Sequence, residues 1–374
     1  MVNPSLSVVH LTMRKGKREL SIGSGVLYRR NAGYYIATAW HNLTGRHSDS
    51  LSLLSKMGAL PDNVVATVAL LLTSASSIGS SRMSFTVPLE ITDKTSYFVH
   101  PVGWPRIDVA VIPIDPNAAF VSEMRLADGS DVSMETKMRQ TSVKGSVATD
   151  IQPIQDCAGT FGRIGVVPDE LIDPGDDLFV LGYPRGIADY SFEPIWKRAT
   201  VASDPHGGWN RQPQFLIDCA SREGMSGAPV VAFSKTGNVQ VGGMKHIGNG
   251  PAAVLHGIYV GRLVDPEVTV EDRLFEAQIG TVWKRSVIDE IIDGKVLGLH
   301  SSEVVAPGKA VDEAVRVIWP QIEGHFQKVL DHEEYRRGIV HEALQHLKGN
   351  ADPKAVMDSV MQYARELSVQ PKSN

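Results

Sequence analysis

The chain has 374 residues, 43% of them apolar, and a formal net charge of -5, so a packed core is expected. That length allows two domains, or one two-lobed fold with an appendage. The weak negative charge, without any long charge run, excludes a global attraction to nucleic acid or to an anionic membrane.

No window approaches the roughly 18 apolar residues of a membrane helix. Residues 64–72 come nearest, and residues 1–11 lack a basic cluster followed by an apolar run, so a soluble, unexported protein is expected. Only Cys157 and Cys219 occur, which fits a reducing cytoplasm better than a disulfide-stapled secreted enzyme. The absence of a Cys-x-x-Cys spacing argues against structural zinc.

In chain order, residues 5–111 read mainly as β. Residues 7–11 alternate weakly, and residues 14–18 form a polar turn. Residues 19–27 and 34–40 make a hairpin turning at Arg30-Asn31-Ala32-Gly33, the second strand rich in aromatic and β-branched residues. His41 ends that strand. Gly23-Ser24-Gly25 is too short for a phosphate cradle and leads into strand, not helix. Residues 51–60 fit either a strand or a short helix, residues 64–72 a buried strand, and residues 74–84 a serine-rich loop. Short strands follow at 85–91 and 97–99. Asp108 then opens an otherwise apolar strand, which buries a carboxylate that needs hydrogen-bond donors.

Residues 115–158 are polar and turn-rich, with Asp128-Gly129 among the turns, and connect two lobes. A second series of short strands runs through residues 164–167, 178–182, 199–201, 214–217, 228–233, 239–244 and 254–260, the spacing of a sandwich or barrel. Residues 282–292 read as a helix with Trp283, Val287, Ile288, Ile291 and Ile292 on one side. Three further helical stretches, 311–329, 332–347 and 353–367, follow, kinked at Pro320 and capped by Asp352. The expected domains are residues 1–150, 151–300 and a charged α-helical appendage, 301–374.

Residues 218–231 carry the chemistry. A buried strand leads into Gly224-Met225-Ser226-Gly227, and a second apolar strand starts at Ala228-Pro229. Glycines and serine on a bend are common turn formers. The same arrangement also presents a hydroxyl outward and leaves the amides of Gly224 and Ser226 free to stabilise an oxyanion. His41, in Ala39-Trp40-His41-Asn42, and Asp108, in Asp108-Val109-Ala110-Val111, complete the order histidine, aspartate, serine. His47, Asp115 and Ser221 are the rivals: His47 lacks a preceding apolar strand, Asp115 sits in a plain turn, and no glycines frame Ser221.

Together these motifs resemble the trypsin-like serine peptidases, closest to the disulfide-poor intracellular bacterial branch, over residues 21–292. Leu181-Gly182-Tyr183-Pro184 is a supporting signature. The resemblance implies a mainly β chymotrypsin-like fold of two six-stranded antiparallel β-barrels. It also implies a catalytic triad of His41, Asp108 and Ser226, an oxyanion hole of Gly224 and Ser226, no cofactor or metal, and a protein or peptide substrate. In secreted members an aspartate before the nucleophile pairs with a newly cleaved N-terminus. Met225 stands there and forms no ion pair, so activation by N-terminal insertion is not expected.

The primary pocket implied by the resemblance has Ala220 at its base beside Ser221, and Tyr259, Val260, Gly261 and Arg262 in its wall. With no carboxylate at the base, a small or apolar residue before the scissile bond is expected, Arg262, Arg222 and Lys245 being basic residues of the rim. His341 and His346, in a zincin-like string, lie about 140° apart on a straight helix and cannot share a metal. The C-terminal helices are expected to cover the barrels or dock a protein partner. Two other readings stay open: a catalytically silent protease-fold scaffold, and an esterase-like hydrolase using the same acyl chemistry.

Overall fold

The computed structural model describes residues 3–48, 51, 53–55, 58–74, 76–92, 94–103, 107–125, 131–141, 147–159, 172–189, 191–210, 212–241, 244–263, 278–301, 358 and 361–362. They belong to two units, residues 1–45 with 59–298, and residues 46–58 with 299–374. In the second unit Arg46 bridges to Leu53 and donates to the Leu51 carbonyl at 2.9 Å. Residues 51–60, read as strand or helix, hold no regular element among the described residues. The three C-terminal helices and His341 and His346 lie outside the described residues, apart from helical positions at Asp358, Met361 and Gln362.

In the first unit, β1 (Val8–Lys15) and β2 (Arg18–Arg30) form a hairpin, and β2 turns into β3 (Gly33–Thr38) through Asn31 and Ala32. Those two residues have φ of 50° and 63°, the left-handed pair that matches strand twist in a two-residue hairpin. A helical turn, α1 (Trp40–Thr44), follows. β4 (Asn63–Thr73) pairs with β1 on one edge and with β5 (Ile78–Pro88) along the other.

The serine-rich stretch expected as a loop is thus largely strand. Main-chain pairing along the free edge of β4 is indifferent to side chain, and Met83 and Phe85 supply the buried anchors. Two-residue strands β6 (Glu90–Ile91), β7 (Lys94–Thr95) and β8 (Phe98–Val99) precede β9 (Ala110–Ile114), which pairs with β3. A hairpin of β10 (Ala119–Arg125) and β11 (Asp131–Lys137) and the short β12 (Ala148–Asp150) complete this lobe, whose main sheet has nine strands among the described residues.

The second lobe contains β13 (Asp177–Gly182), β14 (Ile195–Val201), β15 (Gln214–Asp218), β16 (Ala228–Ser234), a ribbon of β17 (Val239–Val241) and β18 (Met244–His246), β19 (Ala252–Arg262) and β20 (Ile279–Lys284). Six of these close a barrel in the order β13-β14-β15-β20-β19-β16. The fold is mainly β, in keeping with a chymotrypsin-like architecture. The barrel core holds Leu178, Val180, Phe215, Ile217, Val230 and Val282.

The helix expected from residue 282 begins later. Residues 279–284 are the strand that closes the barrel, with Trp283 opposite Gln214 and Ile258. Only α2 (Arg285–Gly294) is helical, burying Val287, Ile288, Ile291 and Ile292, before β21 (Val296–Leu297). Arg30 on β2 grips α2 through Asp293 at 2.6 Å and Asp289 at 2.9 Å. Residues 164–167 and the turn at Asp128-Gly129 lie outside the described residues.

On β19, His256 is fully buried, and neither ring nitrogen has a partner among the described residues. Burial, assisted by the nearby Arg285 charge, pushes its pKa down to about 3. The folded state therefore keeps His256 neutral where the unfolded chain takes up a proton. Its contribution is intact above pH 6.5 and is lost as pH falls from there toward 3, by on the order of 1.4 kcal/mol per pH unit. Urea unfolding between pH 7 and 4 should show this slope, and His256→Leu should flatten it.

Candidate active site

Ala39 is extended, Trp40–Thr44 is helical, and Gly45 closes the turn with φ of 64°. His41 therefore lies in the first turn of a helix and not at the end of a strand. Trp40, wholly buried, pins that turn. Asp108, also buried, precedes β9 in the neighbouring position of the sheet.

The His41 main-chain N–H donates to Asp108 Oδ1 at 2.9 Å, and His41 Nδ1 bonds Oδ2 at 2.7 Å. A carboxylate only accepts, so Nδ1 carries the hydrogen and Nε2 keeps its lone pair. Burial pulls the His41 pKa down, but the charge of Asp108 and the hydrogen bond to it together prevail, and the net shift is upward from 6.5.

Ser226 stands between Gly224 and Gly227, with φ of 87° and 88°. Both glycines are required by space as well as by conformation. A Cβ on Gly224 would lie 2.3 Å from the Tyr183 carbonyl oxygen, and one on Gly227 2.0 Å from that of Ser24.

Each carbonyl of the loop is held. That of Glu223 accepts from the Arg185 N–H at 2.6 Å, that of Gly224 from Ser24 Oγ at 2.8 Å, and that of Met225 from the Ala228 N–H at 2.9 Å. The Ser226 carbonyl accepts from the Ser24 N–H at 2.8 Å and from Asn42 Nδ2 at 2.9 Å. The Met225 amide bonds the Arg222 carbonyl and the Gly227 amide the Tyr259 carbonyl. The amides of Glu223, Gly224 and Ser226 find no acceptor among the described residues. The last two are the pair expected from the sequence to face an oxyanion. Met225 is fully buried in the barrel core, so apolar packing and these bonds order the loop.

Ser226 Oγ itself donates to the Val260 carbonyl at 2.9 Å. The Asn42 contact brings the residue next to His41 onto the Ser226 carbonyl.

Ser24 was passed over in the sequence, yet it is fully buried and holds the serine loop by two of its four hydrogen bonds. Its N–H and Oγ hold the carbonyls of Ser226 and Gly224, its Oγ accepts from the Tyr183 N–H at 3.1 Å, and its carbonyl accepts from Thr38 Oγ1 at 2.7 Å. The available signal was Gly23, where a Cβ would sit 2.6 Å from Asn42 Nδ2. Arg185 was missed too. It is left-handed, φ 52° and ψ 29°, where a non-glycine residue is strained, and this presents its N–H to Glu223. For a peptide substrate, Ser24→Ala should lower kcat about 10- to 100-fold with KM nearly unchanged, as expected for a misplaced reacting group. Steady-state kinetics on a variant with an unshifted Tm checks this.

Among the expected pocket residues the structure reorders two. Ala220 is exposed, whereas Ser221 is buried with its hydroxyl on that of Tyr259. Burial foremost pushes the Tyr259 phenol up to about 12. Val260, Gly261 and Arg262 are half-buried, and Arg262 Nη2 donates to the Ser221 carbonyl at 2.5 Å. Of the rivals, Ser221 is committed to Tyr259, His47 is exposed, and Asp115 caps its own turn through the Asn117 N–H at 2.9 Å.

No family model matches the chain. No curated protein matches it in sequence. Among solved structures it is similar to the Rv3671c protease of M. tuberculosis in an inactive form, with 15% identity, 78% of this chain and 89% of that chain covered, and a TM-score of 0.34. The serine endoprotease from Yersinia pestis follows with 12% identity, coverage of 78% and 62%, and a TM-score of 0.34. Deg5 has 16% identity, coverage of 60% and 74%, and a TM-score of 0.29.

Proposed function

We propose that this chain is a serine endopeptidase of trypsin-like type, acting through His41, Asp108 and Ser226. The observation that carries the reading is the two-point seating of His41 on Asp108 beside a serine loop in which the amides of Gly224 and Ser226 are among those left without an acceptor in the described residues.

In the reaction, Ser226 Oγ leaves the Val260 carbonyl, gives its proton to His41 Nε2 and attacks the peptide carbonyl. The amides of Gly224 and Ser226 take the oxyanion, and Asp108 stabilises the imidazolium. His41 then protonates the leaving amine. Water, deprotonated by the same nitrogen, releases the acyl group and restores the serine. With Met225 buried in place of an acid, the loop needs no inserted N-terminus. Cys157 and Cys219, both free and buried, suit a reducing cytoplasm.

One observation favours a second reading, a catalytically silent scaffold: the Ser226 hydroxyl rests on Val260 and not on His41. Turnover decides between them. The purified chain should cut an unfolded protein into peptides, and Ser226→Ala should not. Equal rates from both proteins, or none from either, would sink the peptidase reading.

A further inference from the structure

We infer that Arg262 makes this site select an acidic side chain immediately before the scissile bond. The inference rests on the endopeptidase reading above and names its substrate class.

Arg262 ends β19, two residues beyond Val260, whose carbonyl holds the Ser226 hydroxyl. Its guanidinium crosses to the segment five residues before the nucleophile and donates to the Ser221 carbonyl at 2.5 Å. Arg222 Nη1 donates to the same oxygen at 2.8 Å. Two cations therefore converge on one neutral carbonyl, in the walls that flank the serine. Neither is paired with a carboxylate among the described residues. The acids of the same loop, Asp218 and Glu223, are exposed and bond neither guanidinium.

Beside them the lining is polar. Ser221 and Tyr259, both buried, join hydroxyl to hydroxyl, and a Cβ on Gly280 would come within 2.5 Å of the Tyr259 ring, so the ring is backed closely by β20. A long basic side chain entering here meets like charge. An apolar one covers a guanidinium without replacing its water. A carboxylate completes the fork of N–H donors that the Ser221 carbonyl leaves mostly unused, the strongest pairing a guanidinium makes. The small or apolar residue expected from the sequence gives way to aspartate or glutamate.

The test uses peptidyl phosphonates carrying aspartate, glutamate, alanine or lysine next to phosphorus, beside a simple alkyl fluorophosphonate that has no side chain at that position. The wild-type chain should be inactivated roughly 100-fold faster by the acidic reagents than by the lysine one at low salt, with the gap narrowing in 1 M salt. Arg262→Glu should reverse the order. An arginine that merely braced the loop would slow all four reagents together, and that result overturns the inference. So does a wild type that reacts with the alkyl fluorophosphonate but no faster with acidic than with other peptides, while the peptidase reading survives. If no reagent reacts, both fall. Should Arg262→Glu fail to fold, the wild-type panel alone decides.

Discussion

Replacing His41 with alanine is expected to lower kcat/KM for a peptide substrate on the order of 10⁴- to 10⁶-fold. The serine hydroxyl is a weak nucleophile, and Nε2 of His41 is the base left free when Asp108 occupies Nδ1. Nothing else replaces it. His47 is exposed, and Asn42, the neighbour of His41, already spends its amide on Thr38 Oγ1 and the Ser226 carbonyl. The residual rate comes from the Gly224 and Ser226 amides and from substrate binding, which the substitution leaves in place. The double variant with Ser226→Ala should consequently be no slower than either single one, since the two side chains act as one unit. Steady-state kinetics on the three proteins measures both effects.

The second large effect is expected from Asp108→Asn, on the order of 10⁴-fold in kcat at neutral pH. The asparagine retains an oxygen for the His41 main-chain N–H, so α1 keeps its seat. Its amide, however, donates toward Nδ1 where the carboxylate accepted, and the imidazole hydrogen is driven to Nε2, the wrong nitrogen for taking the serine proton. The pH profile carries an independent mark. In the wild type the Asp108 charge and hydrogen bond outweigh burial and raise the His41 pKa, so activity, which needs the neutral ring, is lost as pH falls through a value above 6.5. Without the charge, burial prevails, and the acidic limb of the residual activity should move to lower pH.

The residues proposed for catalysis stood out in the sequence because each sits in a local pattern that only its neighbours define: Ser226 between two glycines, Asp108 heading an apolar strand, His41 after one. The hairpin of β2 and β3 was legible for the same reason, its turn falling at Asn31 and Ala32 within the Arg30-Asn31-Ala32-Gly33 string. What escaped the sequence depends on partners far along the chain. Residues 78–84 are strand because β4 offers them an edge, and residues 282–284 are strand because the barrel lacks a sixth member without them, although their apolar spacing fits the helix that begins at Arg285.

Ser24 escaped for a related reason. Its hydrogen bonds span 159 and 200 residues to Tyr183 and Gly224, and no local pattern announces them. In the segment expected to form the pocket, burial runs one position away from the expectation. Ser221 points inward to Tyr259 while Ala220 faces out, a choice made by the phenol on β19.

The central claim, that Ser226 is a nucleophile activated by His41, is tested most directly by mapping a covalent adduct. The intact protein is treated with an alkyl fluorophosphonate, digested and sequenced by tandem mass spectrometry. The expected result is a single phosphonylated serine, Ser226, whose labelling is abolished in Ser226→Ala and strongly slowed in His41→Ala. An adduct on another residue, an unlabelled wild type, or labelling of Ser226 at an equal rate without His41 would contradict it.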